Sequence, residues 1–129
     1  MIRFALIALA SLAACVPQEE THSAKADFAD YCAACHGPEG KGDGPLAGDL
    51  AKKPADLSLL AQRNKGTFPT TKVMAQVWGY TGKKGDGIMP DFAPLLEGNL
   101  VPYDGGDGIE TPTPTRLVAL AEYLKALQK

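Results

Sequence analysis

The segment Cys32-Ala33-Ala34-Cys35-His36 holds the residues of this 129-residue sequence whose types and spacing can do chemistry. On a helix, two thiols three positions apart lie on nearly the same face. A C-x-x-C-H string is typical of covalent c-type haem attachment, in which both cysteines form thioethers and the histidine is an axial iron ligand. We therefore expect Cys32 and Cys35 to hold one haem c, and His36 to bind its iron.

A C-x-x-C pair also occurs in thiol redox sites and as half of a zinc site. A tetrahedral zinc site needs a second pair of ligands, and beyond Cys35 the sequence offers only His36 and methionines as nitrogen or sulfur donors. A thioredoxin-like protein needs strands alternating with helices around the pair, whereas the downstream sequence is rich in Gly and Pro. The context therefore favours haem.

The N-terminus indicates export. Residues 1–14 place Arg3 ahead of an apolar run, as in a secretory signal peptide. The run is too short for a helix that spans a membrane, which needs about 20 apolar residues. Leu12-Ala13-Ala14-Cys15 resembles the lipobox of bacterial lipoproteins, which implies that Cys15 becomes the lipidated N-terminus. Ordinary signal cleavage with an unmodified Cys15 is the alternative. With Cys15 lipidated, residues 15–24 would form a lipidated tether, and residues 25–129 would form the domain.

The composition is that of one small globular domain. Apolar residues make up 45% of the chain, and the formal net charge of −2 lacks the basic footprint of a nucleic-acid binder. The 14 glycines and 10 prolines, with only 7% aromatic residues, predict a small core with long connections. We expect a monomer that does not bind nucleic acid.

The periodic segments are helical and no strand alternation is evident, so we expect an all-α fold of short helices and long loops wrapped around one covalent haem. Helices are predicted at residues 26–35, 55–62 and 70–78. Thr70 is a candidate N-terminal cap of the third, and Gly79 is its expected end.

The last helix has the clearest pattern. Thr113 is expected to cap it, with Pro114 at its first position. Residues 103–110 precede it as a surface insertion, because they lack the ligand spacing of an EF-hand. The predicted buried stripe comprises Leu117, Leu120, Ala121, Leu124 and Leu127.

These features together resemble the class I c-type cytochromes, and the resemblance covers residues 25–129. Phe28 lies four residues before Cys32, where that family often has an aromatic residue, and Tyr123-Leu124 stands where its partner usually lies. The resemblance implies that the first and last helices pack together at these residues.

The distal iron ligand has three candidates in the mature chain: Met74, Met89 and His22. Met89 lies in Gly87-Ile88-Met89-Pro90-Asp91-Phe92, which resembles the family's methionine loop, and Pro90 restricts Met89 to extended backbone. Met74 belongs to the predicted helix 70–78 and is interpreted as core filler. His22 lies in the tether and is interpreted as a solvated side chain. We therefore assign Met89 as the ligand.

Further residues are assigned to the surroundings of the haem. By resemblance, the carbonyl of Pro45 accepts the second ring N–H of His36 and so fixes its tautomer. Arg63, Trp78 and Tyr80 carry N–H or O–H donors that suit haem propionates, with ordinary packing or solvation as the alternative.

Charge is unevenly distributed along the chain. Residues 41–84 hold eight basic and three acidic side chains, whereas residues 85–115 hold six acids and no base. A basic rim around the haem edge would steer an acidic redox partner, and scattered solvated lysines are the alternative.

The expected activity is electron transfer, not catalysis, because His36 and Met89 would fill both axial positions and leave no site for a substrate. The expectation is a lipid-anchored cytochrome on the periplasmic side of a bacterial membrane, which shuttles single electrons between a donor and an acceptor protein. A haem c subunit of a specific oxidoreductase complex is an alternative. A sensor that exchanges Met89 for a gas is another.

Lipidation of Cys15 predicts the mass of protein extracted from membranes. Residues 1–14 should be missing, and the remaining polypeptide should carry the added mass of acyl groups. We expect more than one acyl group, because a single one anchors a protein only weakly. Intact-mass spectrometry checks this. A chain that begins elsewhere, or an unmodified Cys15, would contradict the assignment.

Overall fold

The structure is a computed structural model that describes residues 22–81 and 89–129. The predicted signal peptide and Cys15 lie outside the described residues. None of the helices within the described ranges is long and apolar enough to cross a bilayer. The helices are α1 (Ala24–Tyr31), α2 (Ala33–His36), α3 (Leu60–Arg63), α4 (Thr70–Trp78), α5 (Ala93–Leu96) and α6 (Thr115–Ala126); a 3₁₀ turn covers Leu57–Leu59, and strands β1 and β2 cover Leu100–Asp104 and Glu110–Pro114.

Helix α1 begins at a side-chain cap and ends at the first motif cysteine. Ser23 accepts a hydrogen bond from the Ala26 amide at 3.1 Å, which satisfies a donor that the helix itself cannot pair. The amide of Cys32 closes the helix by donating to the Phe28 carbonyl at 2.9 Å. The single helix predicted over residues 26–35 is interrupted at Cys32, whose φ of −117° departs from the regular helical value and whose carbonyl starts the separate helix α2.

The first and last helices pack against each other, as expected. The rings of Phe28 and Tyr123 lie 5.4 Å apart at 47°, a tilted arrangement that adds about 1 kcal/mol to the burial of the rings. The predicted stripe of α6 is buried at four positions, with Leu127 half-buried at the end. The buried cluster comprises Phe28, Cys32, Val77, Leu96, Leu117, Leu120 and Leu124.

Helix α4 has the bounds predicted from the sequence. It ends at Gly79, whose φ of 91° lies in the left-handed region that glycine adopts without strain. Thr70 is its first residue and not its cap, since Pro69 occupies the cap position. The short helix predicted at residues 55–62 is present as the 3₁₀ turn followed by α3.

A β-hairpin corrects the all-α expectation. Strands β1 and β2 pair antiparallel from Leu100 opposite Pro114 to Asp104 opposite Glu110. Pro102 and Pro112 face each other, and two residues without an N–H fit a pair that exchanges no hydrogen bonds. Prolines and threonines hide the alternation that a sequence-based assignment needs, yet in a two-stranded sheet every strand is an edge, where proline is tolerated.

The residues predicted as a surface insertion form the turn of this hairpin. One carboxylate oxygen of Asp104 accepts hydrogen bonds from the amides of Gly106, Asp107 and Gly108, at 2.8 to 3.0 Å. The predicted cap at Thr113 is wrong: this residue lies in β2, and its hydroxyl donates to the Thr111 carbonyl. The hairpin instead continues directly into α6.

The hairpin is tied to α6 by the Tyr103 hydroxyl, which donates to Glu122 at 2.6 Å. Desolvation, followed by the bond to Glu122, raises the pKa of Tyr103 to about 12. Because the folded pKa exceeds the unfolded value of about 10, the protonated hydroxyl stabilises the fold below pH 10, and the contribution is lost between pH 10 and 12.

Tyr103→Phe should therefore lower the free energy of unfolding by about 1 kcal/mol at neutral pH, through loss of this hydrogen bond. Denaturant titrations of the wild type and the variant from pH 8 to 12 measure the difference, which should shrink above pH 10. A difference that stays constant over this range would contradict the assigned role.

Candidate functional site

The motif cysteines lie where α1 gives way to α2. The amides of Cys35 and His36 both donate to the Cys32 carbonyl, at 3.2 and 2.9 Å, so the three residues share one short helical turn. Cys32 is buried, with 8% of its surface exposed, and Cys35 is half-buried. Both thiols are free. The turn thus presents two unbonded sulfurs beside an imidazole at the edge of the core.

The Cys32 thiol is a poor nucleophile in this setting. Its burial, followed by its electrostatic interactions with Asp27 and Cys35, raises the pKa of Cys32 to about 11. Thiol exchange depends on a thiolate, whose formation a lowered pKa favours. Among the residues of the two described ranges, His, Cys, Asp and Glu nowhere gather in threes as metal ligands do. The raised pKa of Cys32 therefore disfavours thiol exchange at this residue.

The His36 ring is fixed by a backbone carbonyl. Its Nδ1 lies 2.9 Å from the carbonyl oxygen of Ala55. A carbonyl only accepts, so Nδ1 carries the proton and Nε2 keeps the lone pair that a metal needs. This bond orients the ring and strengthens Nε2 as a ligand.

The carbonyl partner expected from the sequence, Pro45, is incorrect. Residues 42–46 run back along α2: the amide of Gly44 donates to the Cys35 carbonyl, and that of Leu46 to the Ala34 carbonyl. A Cβ at Gly44 would collide with the Ala34 carbonyl, so only glycine permits this approach. Pro45 is consequently exposed, and the chain returns to the His36 ring only at Ala55.

The segment that carries Ala55 is held by the end of the chain. The side chain of Gln128 donates to the Leu57 carbonyl and accepts from the Ala61 amide, both at 2.8 Å. The amide of Lys129 donates to the Ser58 carbonyl at 3.1 Å. These contacts fix the 3₁₀ turn against the C-terminal end of α6, which places the carbonyl that orients His36.

Met89 lies against the same apolar cluster that contains Cys32. It is half-buried, and its sulfur lies 3.8 Å from Nε2 of Gln76 on α4, a donor distance for sulfur. The Oε1 atom of Gln76 accepts from the Thr81 hydroxyl at 2.7 Å, which leaves its amide group facing Met89. Met89 thus places a thioether beside the core that also buries the first motif cysteine, and the exposed Gln76 places an amide donor next to that thioether.

Comparison with protein-family models decides the assignment. The cytochrome c model matches residues 23–128. The chain belongs to the cytochrome c family. Comparisons with curated proteins and with solved structures found no match. As a cytochrome c, the protein binds haem c through covalent bonds, typically one for a domain of this size, and takes part in electron transfer between redox partners.

The residues of this cytochrome fit such a group. Cys32 and Cys35 would supply the two sulfurs for thioether bonds, and His36 would supply an imidazole whose Nε2 is left as a ligand. The apolar cluster beside them offers the low-dielectric surroundings that a porphyrin needs.

The three candidates for propionate contacts occupy different places. Arg63 donates from Nη1 to the Asp56 carbonyl at 3.2 Å, next to the Ala55 carbonyl that orients His36. Trp78 packs on the core and also lines a cleft of about 600 Å³ between α4 and the hairpin. Met74 shares both environments, and Tyr80 is 82% exposed.

Two residues of the site escaped the sequence analysis. Ala55 acts through its backbone, and no residue type marks a carbonyl acceptor. Gln76 is an exposed polar residue of α4, and neither its type nor its spacing marks it in the sequence. Its nearness to Met89 depends on how residues 89–92 pack, which local periodicity does not encode.

Proposed function

We propose that this cytochrome is a monohaem electron carrier with His36 and Met89 as axial ligands. The observation that carries the proposal is the fixed tautomer of His36, which leaves Nε2 as a ligand. Met89 packs against the apolar cluster of Cys32, as Met74 also does, and the sequence of its loop favours Met89 as the second ligand. Haem, once bound, supplies a one-electron couple between ferrous and ferric iron.

The protein's own residues set the properties of that couple. The Ala55 carbonyl makes His36 a stronger donor, which favours ferric iron. A methionine thioether is soft and uncharged and favours ferrous iron, so the potential should be higher than with two histidines. With both ligands in place no coordination position is open to a substrate, which is why a carrier fits better than an enzyme.

The proposed location is the periplasmic face of a bacterial membrane. The signal-like run of residues 1–14 and the lipobox-like string ending at Cys15 support it. A lipid anchor on a short tether would confine the carrier to the membrane surface, where donor and acceptor proteins meet it. Arg63 and Trp78 remain predictions as propionate partners.

The ligand assignment predicts different outcomes for two methionine variants. Met89→Ala should abolish the methionine–iron charge-transfer absorption of the oxidised cytochrome, because the thioether is lost. Met74→Ala, the matched change at the other half-buried methionine, should keep the band. Visible spectroscopy of both ferric variants checks this. Loss of the band in Met74→Ala with its retention in Met89→Ala would overturn the assignment.

Gln76→Leu should lower the reduction potential. The amide donor at 3.8 Å withdraws electron density from the Met89 sulfur, so its removal makes the sulfur a better donor and favours ferric iron. A hydrogen bond worth about 0.5 to 1 kcal/mol corresponds to about 20 to 40 mV for one electron.

Potentiometric titration measures the shift, with Gln62→Leu at an exposed position of α3 as the control. The control should keep the wild-type potential. Equal potentials in all three proteins would mean that the amide does not act on Met89.

A further inference from the structure

A buried ion pair joins the first helix to the start of the last. Asp27 on α1 is only 2% exposed, and its two carboxylate oxygens accept from Nη2 and Nε of Arg116 at 2.6 and 3.1 Å. This two-point geometry is what a guanidinium provides and an ammonium does not. The bonds to Asp27 raise the pKa of Arg116, which keeps the guanidinium charged.

The same guanidinium also binds the end of α5. Its Nη1 donates to the carbonyl of Leu95 at 2.6 Å, in the last turn of α5. A helix of four residues cannot pair its final carbonyls internally, so an outside donor stabilises its end. The guanidinium carbon also lies 6.0 Å from the ring centre of Tyr31. Arg116 therefore connects three helices through one planar group.

Helix α5 follows Met89 after only three residues, so its position limits where Met89 can lie. Within that link, the amide of Phe92 donates to the Val77 carbonyl of α4 at 3.2 Å. The rings of Phe92 and Tyr31 lie 6.3 Å apart. The segment after Met89 is thus bound to α4 and α1 through Phe92, and to α6 through Arg116.

We propose that Arg116 is a positioning residue for Met89: by holding α5 against α1 and α6, it limits the release of the thioether from the iron. The inference rests on the proposed role of Met89 as the distal ligand. A thioether is a weak, neutral donor, so its occupancy of the site depends on how firmly the surrounding backbone is held. Loosening α5 should increase the fraction of molecules in which Met89 has dissociated.

Imidazole measures this fraction, since it binds ferric iron only where Met89 has left. The apparent dissociation constant equals the intrinsic one divided by the open fraction, so a tenfold rise in that fraction gives tenfold tighter binding. The holo-cytochrome should bind imidazole about tenfold more tightly in Arg116→Gln than in the wild type, as expected for the loss of a charge-assisted bond.

Two variants separate positioning from general stability. Arg116→Lys keeps a charge beside Asp27 and should recover much of the unfolding free energy that Arg116→Gln loses. A lysine ammonium cannot bind both Asp27 and the Leu95 carbonyl as the guanidinium of Arg116 does. Imidazole should therefore still bind more tightly to Arg116→Lys than to the wild type. Tyr103→Phe lowers the unfolding free energy through the hairpin–α6 hydrogen bond without touching α1 or α5, and should leave imidazole affinity unchanged.

The outcomes are distinct. The inference is overturned if imidazole affinity simply follows the unfolding free energy across these three variants. It is also overturned if imidazole affinity does not change in Arg116→Gln and Arg116→Lys. If Arg116→Gln does not fold, the comparison of Arg116→Lys with Tyr103→Phe decides.

Met89→Ala tests the underlying ligand assignment. It should bind imidazole tightly, and adding Arg116→Gln to it should change nothing further. Unchanged imidazole affinity in Met89→Ala would overturn the proposed ligand itself, and the inference with it. An additional gain in the double variant would show that Arg116 acts on something other than Met89.

Discussion

The contact between α1 and α6, centred on Phe28 and Tyr123, is the constraint on which the rest of the site depends. Helix α1 ends at Cys32 and so delivers the haem-attachment motif to the core. At its C-terminal end α6 holds the segment that carries the Ala55 carbonyl, and at its N-terminal end Arg116 reaches α5 beyond Met89. One helix thus supports the surroundings of both proposed iron ligands.

Local features of the site were predictable from the sequence. The C-x-x-C-H string, the bounds of α4 and the buried stripe of α6 each depend on residues within a few positions of one another, where spacing and capping rules apply. The family assignment follows from the same string and from the match over residues 23–128. Met89 remains an assignment from its loop sequence, because Met74 packs against the same apolar cluster.

What the sequence did not predict depends on contacts between distant residues or on the backbone. The hairpin was missed because its prolines break the usual strand pattern, and they are tolerated only because the sheet has two strands. The Ala55 carbonyl replaced the expected Pro45 because residues 42–46 return along α2. The Asp27–Arg116 pair spans 89 positions, and nothing in the local sequence joins its members.

The central claim is that haem is bonded covalently to Cys32 and Cys35, and acidified acetone tests it most directly. This solvent unfolds the protein and removes haem held only by axial ligands, as a non-covalent haem protein treated in parallel would show. The account predicts that the precipitated polypeptide stays red and that its mass exceeds that of the mature chain by one haem. A colourless precipitate with the pigment in the acetone, and a polypeptide mass without haem, would contradict it.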